Sequence, residues 1–392
     1  MKMERSVIID GARTPFGKFG GALRSFSAPQ LGGFAIKAAL ERAQIDGDQV
    51  DEVIFGSVLQ GGQGQIPSRQ AARYAGLPWE VATETINKVC ASGMRSVSLA
   101  DQIIRAGDAN VIVAGGMESM SNAPYFLPKA RWGLRMGDDQ LKDLMIHDGL
   151  TCSFQSVHMG AYGNRVAKEY GITREQQDEW ALMSHRRAIA ARGKLREEIV
   201  PIEVPQRKGD PILVQDDEAP REDTSIEQLK KLPSVFSEDG TITAGNAPGV
   251  NDGAAALVVT SESYAKQAGL PAMARIIASA QLSIEAEYFP KTPGLVIEKL
   301  LKKTGKRKDE IKLFEINEAF AAVALTASKI STLDEDKVNV NGGAVALGHP
   351  IGASGARIIL TLMYELKRRG GGLGVAAICS GGGQGDAIMI EV

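Results

Sequence analysis

The stretch 84-ETINKVCASGMRSV-97 contains a change from strand pattern to helix pattern, and the architecture of the chain is deduced from it. Residues 82–87 have the composition of an extended segment, and apolar side chains then recur at helical spacing. The pattern predicts a strand, a sharp turn at Cys90 and a helix over about residues 91–106. Because free N–H groups and the positive dipole end at a helix start favour a thiolate, Cys90 is a candidate nucleophile. The alternative is a small structural thiol packed at a strand end.

The composition is that of a globular protein that can bury a large core. Of the 392 residues, 44% are hydrophobic and 23% are charged. The net charge of −2 argues against nucleic acid or an anionic membrane surface as a partner. The sequence has no run of 18 apolar residues, and its amino-terminal stretch MKMERSVIIDGARTPFG has no signal-peptide or presequence pattern. We therefore expect a cytoplasmic protein that does not associate with membranes.

The three cysteines are an odd number in a large chain, which argues against a disulfide framework, and no CxxC spacing suggests a zinc site. They are Cys90, Cys152 and Cys379. We expect reduced thiols and no bound metal. Cys152 lies in no reactive context, and we interpret it as structural.

Strands alternate with helices in both halves of the chain, which predicts an α/β fold with a parallel or mixed sheet. In the first half, strands are expected at residues 6–10, 50–58, 82–87 and 110–114, and helices at 29–43, 68–75 and 91–106. In the second half, strands are expected at 274–281, 311–316, 338–340, 374–378 and 387–392. Its helices are expected at 294–302, from Asn317 onward, and at about 350–369. The repeated order, with Ala-Ser-Gly at 91–93 and again at 353–355, predicts a duplicated α/β unit.

The segment between the two halves has a different character and predicts an inserted domain. Residues 1–118 are expected to form the N-terminal half and residues 119–250 a mostly irregular insertion with a helix near 176–191. Residues 251–270 should complete the N-terminal half through a glycine-rich turn that leads into a helix and a strand. Residues 271–392 should form the C-terminal half.

Two nucleotide-binding patterns are present only in part. The loop GARTPFGK resembles a phosphate-binding loop, but five residues separate Gly11 from Gly17, and Phe19 follows the lysine. The string GLGVAA at 372–377 leads into a strand, whereas a dinucleotide-binding fingerprint follows one. Neither pattern supports a nucleotide-binding protein.

The second half supplies partners for Cys90. His349 lies in NGGAVALGHPIGASGAR, Cys379 begins CSGGGQGD, and Asn317 begins NEAF. Taken singly, each has an alternative: a turn-capping histidine, a glycine-rich hairpin and a helix N-cap. Taken together they suit acyl transfer, in which a thiolate attacks a carbonyl, a histidine takes the thiol proton and backbone N–H groups hold the oxyanion.

The chain resembles the thiolase family over essentially its whole length. The motifs that carry the resemblance are NKVCASGMRSV, GGMESMS, DGLTCSFQSVHMG, NDGAAA, NEAFA, NGGAVALGHPIGASGAR and CSGGGQGDA. The resemblance implies a layered α-β-α-β-α fold of duplicated halves with an inserted loop domain that binds coenzyme A. It also implies that Cys90 is acylated, that His349 activates it and that Cys379 moves the proton of the α-carbon of the second acyl-CoA. One oxyanion hole would be formed by His349 and a water on Asn317, and the other by the N–H groups of Cys90 and Gly381.

The same resemblance implies a coenzyme A tunnel and two points of departure. The expected tunnel residues are Leu150, His158, Met159, Arg221, Phe236, Ala244, Gly245, Ala319 and Phe320. Pro248 stands where many thiolases have a serine expected to contact the pantetheine. Phe289 lies where short-chain members tend to have methionine followed by glycine, so its bulk bears on acyl chain length.

The activity implied by the resemblance is that of an acetyl-CoA C-acetyltransferase. It would condense two acetyl-CoA molecules reversibly, or cleave a 3-ketoacyl-CoA by thiolysis, with acyl-CoA substrates and no cofactor. A 3-ketoacyl-CoA thiolase of β-oxidation with longer or branched substrates, and a non-catalytic acyl-CoA or lipid carrier, remain as alternatives. Apolar residues in the polar stretch 125–142 match a loop that tethers two dimers in tetrameric members, so we expect a homotetramer and at least a homodimer.

Overall fold

The structure, a computed structural model, describes residues 4–392, so residues 1–3 of the amino-terminal stretch discussed above lie outside the described residues. The strands are β1 Ser6–Arg13, β2 Gly17–Lys18, β3 Glu52–Gly56, β4 Ala82–Ile86, β5 Val111–Ser119, β6 Tyr125–Phe126, β7 Lys142–Asp143, β8 Ile202–Val204, β9 Ile212–Val214, β10 Asn251–Ser261, β11 Ala274–Ser283, β12 Ile311–Ile316, β13 Leu373–Ser380 and β14 Gln384–Glu391. The helices are α1 Ala28–Ala43, α2 Pro67–Tyr74, α3 Ser92–Ala106, α4 Met159–Glu169, α5 Arg174–Ala190, α6 Arg192–Leu195, α7 Ile226–Lys230, α8 Glu262–Gln267, α9 Thr292–Thr304, α10 Ala321–Ser331, α11 Ala344–Leu347 and α12 Ser354–Arg368.

A ten-stranded mixed sheet carries the fold. Its order is β12-β13-β14-β11-β1-β10-β5-β3-β4, with β2 paired to β10. Parallel pairs occur in both halves, between β3 and its neighbours β4 and β5 and between β12 and β13. The antiparallel pairing of β1 with both β10 and β11 joins the two halves. The sheet is therefore mixed, as expected for an α/β protein with duplicated halves.

Alternate side chains of the strands enter different hydrophobic layers. One face of β1, β3, β5 and β10 packs against α1 and α2, and the other faces α3 and α12. The strands of the C-terminal half share the layer of α3 and α12 and bury their opposite face against α9 and α10. This arrangement is the layered α-β-α-β-α architecture that the resemblance implied.

The two Ala-Ser-Gly motifs lie where the central helices α3 and α12 begin. A Cβ atom on Gly93 would come within 2.8 Å of the Ala356 nitrogen, and one on Gly355 within 2.4 Å of the Met94 nitrogen. Real Cβ atoms do not approach backbone so closely, so only glycine allows the two helix starts to meet. The repeated Ala-Ser-Gly motif therefore marks the contact that brings the two halves together beside Cys90.

Three sequence-based expectations were wrong. Residues 251–261 form the strand β10 rather than a turn leading into a helix, and α8 follows the strand. All eleven residues of β10 are buried, and such a strand has a continuous apolar pattern rather than an alternating one.

The other two errors lie in the C-terminal half. No helix begins at Asn317, because its N–H donates to the Ala377 oxygen across the sheet and α10 starts only at Ala321, with Phe320 as its N-cap. The strand expected at 338–340 is reduced to one bridge between Phe314 and Val338. Asn339 adopts a left-handed φ of 48° and uses its side chain, instead of a ladder, to bond the backbone of Ile316.

The helices and the acidic, cysteine and histidine side chains of the described residues bear on membranes and metals as partners. No helix within residues 4–392 is long and apolar enough to cross a membrane. In the same range, no cluster of three or more His, Cys, Asp or Glu side chains could hold a metal ion.

Candidate active site

Cys90 lies on a turn between β4 and α3, two residues before the helix begins. Val89 has a left-handed φ of 45°. Ser92 closes the turn, because its hydroxyl accepts from the Lys88 N–H at 2.8 Å and donates to the Val89 oxygen at 2.6 Å. The position at a strand-to-helix turn agrees with the sequence interpretation.

The turn is also attached to the C-terminal half of the chain. The Ser380 hydroxyl donates to the Lys88 oxygen at 2.5 Å. The Lys88 ammonium donates to Asp386 at 2.9 Å and to Gln281 at 2.7 Å. These bonds set the distance between the nucleophile turn and the β13–β14 hairpin, which carries Cys379.

Cys90 is half-buried in the cavity wall, and its thiol holds its proton. Loss of water raises the pKa of Cys90 to about 12, and the negative charge of Glu118 adds to the effect. Backbone N–H groups of Cys90 and Gly381 donate toward the sulfur and oppose the shift without overcoming it. The expectation that the helix start alone favours the thiolate is therefore wrong, because desolvation outweighs two N–H donors.

His349 follows α11 and is buried, with 7% of its surface exposed. Its backbone N–H donates to the Asn251 side-chain oxygen at 2.9 Å. The ring nitrogen Nδ1 lies 2.6 Å from Ser354 Oγ, and Nε2 lies 3.4 Å from the Asn317 amide nitrogen. Burial, aided by the charge of Arg357, lowers the pKa of His349 to about 3, so the ring is neutral at pH 7 and can accept a proton.

Cys379 occupies the end of β13 and is 1% exposed. Burial raises the pKa of Cys379 well above that of an ordinary thiol, and the neighbouring Cys90 raises it further. The hairpin that follows is tight, with Gly382 and Gly383 at left-handed φ values of 76° and 73°. This turn directs the Gly381 N–H toward the Cys90 sulfur.

One cavity collects most of the residues expected from the sequence. The predicted residues in its wall are Cys90, Leu150, His158, Met159, Phe236, Ala319, Phe320, His349, Cys379 and Gly381. Asn317 lies behind the wall in contact with His349. Pro248 and Phe289, the two departures from the family pattern, also line the cavity.

Three predicted tunnel residues lie outside the cavity wall. Arg221 is exposed, and its backbone N–H donates to His185 Nδ1 at 3.2 Å. Ala244 is also exposed, and Gly245 is buried where a Cβ atom would meet Leu229. In this structure the three are not brought together with the reactive groups.

Aromatic rings form part of the cavity wall. The His158 ring stacks on Phe236 at 4.3 Å between centroids and 11° between planes. Phe236 and Phe320 pack edge to face, with their centroids 6.0 Å apart. Gly160 makes the stack possible, since a Cβ atom there would lie 2.1 Å from the Phe236 ring. A mostly apolar cavity wall with few polar groups suits a flexible, mostly apolar ligand arm.

Sequence reasoning missed several residues of the site. Val89, Met120, Gly149, Ala247, Gly249, Val250, Ile351 and Ser380 line the cavity, and their types carry no chemical signal. Glu118 could have been noticed as an acid within the apolar strand GGMES. It is fully buried and accepts N–H bonds from Val58, Leu59 and Gly352 at 2.9–3.0 Å. Burial raises the pKa of Glu118 to about 7.

Comparison with known proteins gives full-length matches. The family models described as "Thiolase, N-terminal domain" and "Thiolase, C-terminal domain" match residues 6–263 and 270–392. An acetyl-CoA acetyltransferase of Escherichia coli is 51% identical over 392 residues, with 99% of each chain covered. One of Allochromatium vinosum is 48% identical over 390 residues, again with 99% of each covered. The crystal structure of the Bacillus anthracis acetyl-CoA acetyltransferase is 41% identical, covers 99% of each chain and has a TM-score of 0.97.

Proposed function

The chain belongs to the thiolase family of acyltransferases, and from this premise we propose that it is an acetyl-CoA C-acetyltransferase that works through an S-acetyl intermediate on Cys90. The observation that carries the proposal is the meeting of Cys90, His349 and Cys379 in one cavity, with the Gly381 N–H directed at the Cys90 sulfur. The reaction is the reversible condensation of two acetyl-CoA molecules to acetoacetyl-CoA and coenzyme A.

In the first half-reaction, neutral His349 takes the proton of the Cys90 thiol. The sulfur attacks the thioester carbonyl of acetyl-CoA, a new C–S bond forms, and the bond to coenzyme A breaks. The N–H groups of Cys90 and Gly381 stabilise the oxyanion of the tetrahedral intermediate. The departing coenzyme A thiolate takes the proton of Cys379 and leaves as a thiol, so Cys379 becomes a thiolate while His349 remains an imidazolium.

In the second half-reaction, the Cys379 thiolate removes a proton from the α-carbon of a second acetyl-CoA. The unusually high pKa of Cys379 suits this role, because a carbon acid is much weaker than a thiol and requires a strong base. The His349 imidazolium, together with a water held by Asn317, stabilises the enolate oxygen. The enolate carbon attacks the acetyl group on Cys90, and His349 returns its proton to the departing Cys90 sulfur.

We propose that the coenzyme A arm lies in the same cavity. The pantetheine would pass along the channel formed by His158, Phe236 and Phe320. Arg221, Ala244 and Gly245 remain predicted contacts of the nucleotide end, outside the cavity described above. Coenzyme A is substrate and product in this scheme, and we propose no other cofactor.

Assembly and location are further parts of the proposal. Within residues 125–142 several large apolar side chains are exposed, including Trp132 at 82%, Met136 at 98% and Leu141 at 63%. Large apolar side chains grouped on one loop are unfavourable in contact with water, and such a patch is typical of a surface that a partner covers. We propose that a second dimer covers it in a homotetramer, and that the enzyme acts in the cytoplasm.

The test is the mass of the intact protein after brief incubation with acetyl-CoA. The natural chain should gain one acetyl group, and Cys90→Ala should gain none. The same assay with longer acyl-CoAs separates the short-chain enzyme from a 3-ketoacyl-CoA thiolase of broader range. If no acyl-CoA gives an adduct, the proposal is overturned and a non-catalytic carrier is favoured.

A further inference from the structure

The position of Ser354 next to His349 bears on which nitrogen of the His349 ring holds the proton. Ser354 is the first residue of α12, is completely buried, and places Oγ 2.6 Å from His349 Nδ1. The same Oγ lies 2.9 Å from the Pro350 carbonyl oxygen, which can only accept. The nitrogen on the other side of the ring, Nε2, faces the amide of Asn317.

Only one arrangement of protons satisfies these contacts and also leaves a base. The Ser354 hydroxyl donates to Pro350, so Oγ accepts from His349 Nδ1–H, and Nε2 carries a lone pair that faces the Asn317 NH₂ group. In the opposite arrangement the hydroxyl donates to Nδ1, the proton moves to Nε2, and the Asn317 amide is reversed to accept it. That second arrangement has no free nitrogen with which to take the thiol proton.

We propose that Ser354 is a positioning residue that holds the His349 proton on Nδ1 and thereby keeps Nε2 free to accept the proton of Cys90. When Nε2 takes that proton, Nδ1–H remains bonded to Oγ, and the hydrogen bond becomes stronger because its donor is now an imidazolium. Among the described residues, the charge that shifts the pKa of His349 is that of Arg357, which opposes protonation of the ring. Ser354 therefore supplies the contact that allows a buried histidine to become positive and to remain so until the second half-reaction returns its proton.

The inference rests on the proposed function, since it concerns the base of the same site. It also explains why a serine follows His349 at a distance of five residues: the chain turns through Pro350 and returns the first residue of α12 to the ring. Ser92 at the matching position of α3 has a different task, because its hydroxyl bonds the backbone of the nucleophile turn. The two helix starts thus hold the nucleophile and the base separately.

The first readout is the ¹⁵N spectrum of the full-length protein labelled at histidine, with His349 assigned from its loss in His349→Asn. We expect Nδ1 to have the chemical shift of a protonated nitrogen and Nε2 that of an unprotonated one. A protonated Nε2 in the natural protein at pH 7.5 would overturn the proposal. This measurement does not depend on activity or on the folding of any variant at position 354.

The second readout is the rate at which iodoacetamide alkylates Cys90 at pH 7.5, measured by peptide mass. Ser354→Ala should lower this rate about tenfold to a hundredfold, the effect of losing one hydrogen bond to a charged group. Ser354→Thr, which keeps the hydroxyl, should recover most of it. The matched control is Ser331→Ala, since Ser331 is equally buried and its hydroxyl donates to Gly294 at 3.0 Å, remote from the cavity wall.

The outcomes separate this inference from the proposed function. If the natural chain forms no acetyl adduct, the proposed function fails regardless of Ser354. If the adduct forms and folded Ser354→Ala alkylates at the rate of Ser331→Ala, the positioning role alone is refuted.

Discussion

Replacing His349 by asparagine should change how the reactivity of Cys90 depends on pH. With a pKa of about 12, an unassisted Cys90 would be a thiolate in roughly one molecule in 100,000 at pH 7. The neutral imidazole lowers this barrier as a general base, because it accepts the proton while the sulfur attacks and no free thiolate has to accumulate. Because general-base catalysis contributes about 10²–10⁴-fold, His349→Asn should slow acetylation of Cys90 by that factor at pH 7.

The pH profile gives the sharper signature. In the natural protein, the rate of Cys90 alkylation should vary little between about pH 5 and 9, apart from a small change near pH 7 where the Glu118 carboxyl ionises. The imidazole is already neutral in this range and loses its capacity only as the pH falls toward about 3. In His349→Asn, the rate should rise tenfold per pH unit across the same range, because it then follows the thiolate population. The assay is peptide-mass quantification of Cys90 after timed exposure to iodoacetamide.

The control is His185→Asn. Burial also lowers the pKa of His185, to about 4, but this ring contacts the Arg221 backbone and lies outside the cavity wall. His185→Asn should keep the flat profile of the natural chain. A flat profile in His349→Asn as well would refute the assignment of His349 as the base.

The other predictions concern the cavity wall, the nucleophile turn and assembly. Phe289→Ala should destabilise the fold by about 3–5 kcal/mol in urea titrations. It should also raise kcat/KM for longer 3-ketoacyl-CoAs relative to acetoacetyl-CoA, and an unchanged ratio would show that Phe289 does not limit chain length. Lys88→Ala leaves the buried Asp386 carboxylate unpaired and should lower the free energy of unfolding by about 3 kcal/mol. Combining Lys88→Ala with Asp386→Asn should recover part of this loss. Trp132→Ser with Met136→Ser should convert tetramers to active dimers in light scattering, and persistence of tetramers would place the contact elsewhere.

Much of the secondary structure was predictable because it depends on local patterns. The predicted helix over 91–106 is observed as Ser92–Ala106, and the predicted helix over 29–43 as Ala28–Ala43. The failures occurred where tertiary contacts override local preference. At Asn317 a bond to the neighbouring strand replaces the helix start, and in β10 complete burial removes the alternation that marks a strand.

The candidate site was partly predictable for a different reason. Cys90, His349 and Cys379 each lie in a glycine-containing turn, a local feature that sequence reveals, and the set of motifs was specific enough to identify the family. Glu118 and Ser354 escaped notice, since an acid in a strand and a serine at a helix start are common and acquire meaning only from their neighbours. Their partners, Val58 and Gly352 for the first and the His349 ring for the second, are known only once the chain is folded.

By itself, the sequence determined the α/β class, the repeated halves, the reactive residue types and the family with its acyl-transfer chemistry. The tertiary structure alone decided which of those residues meet, which predicted tunnel residues stand apart, and which groups hold protons at rest. The physical reason is that helix and strand formation depend on side chains a few residues apart, whereas a pKa depends on the water excluded by distant parts of the chain. Cys90 lies just before a helix in either view, but only the folded cavity raises its pKa and brings the neutral imidazole of His349 into the same site.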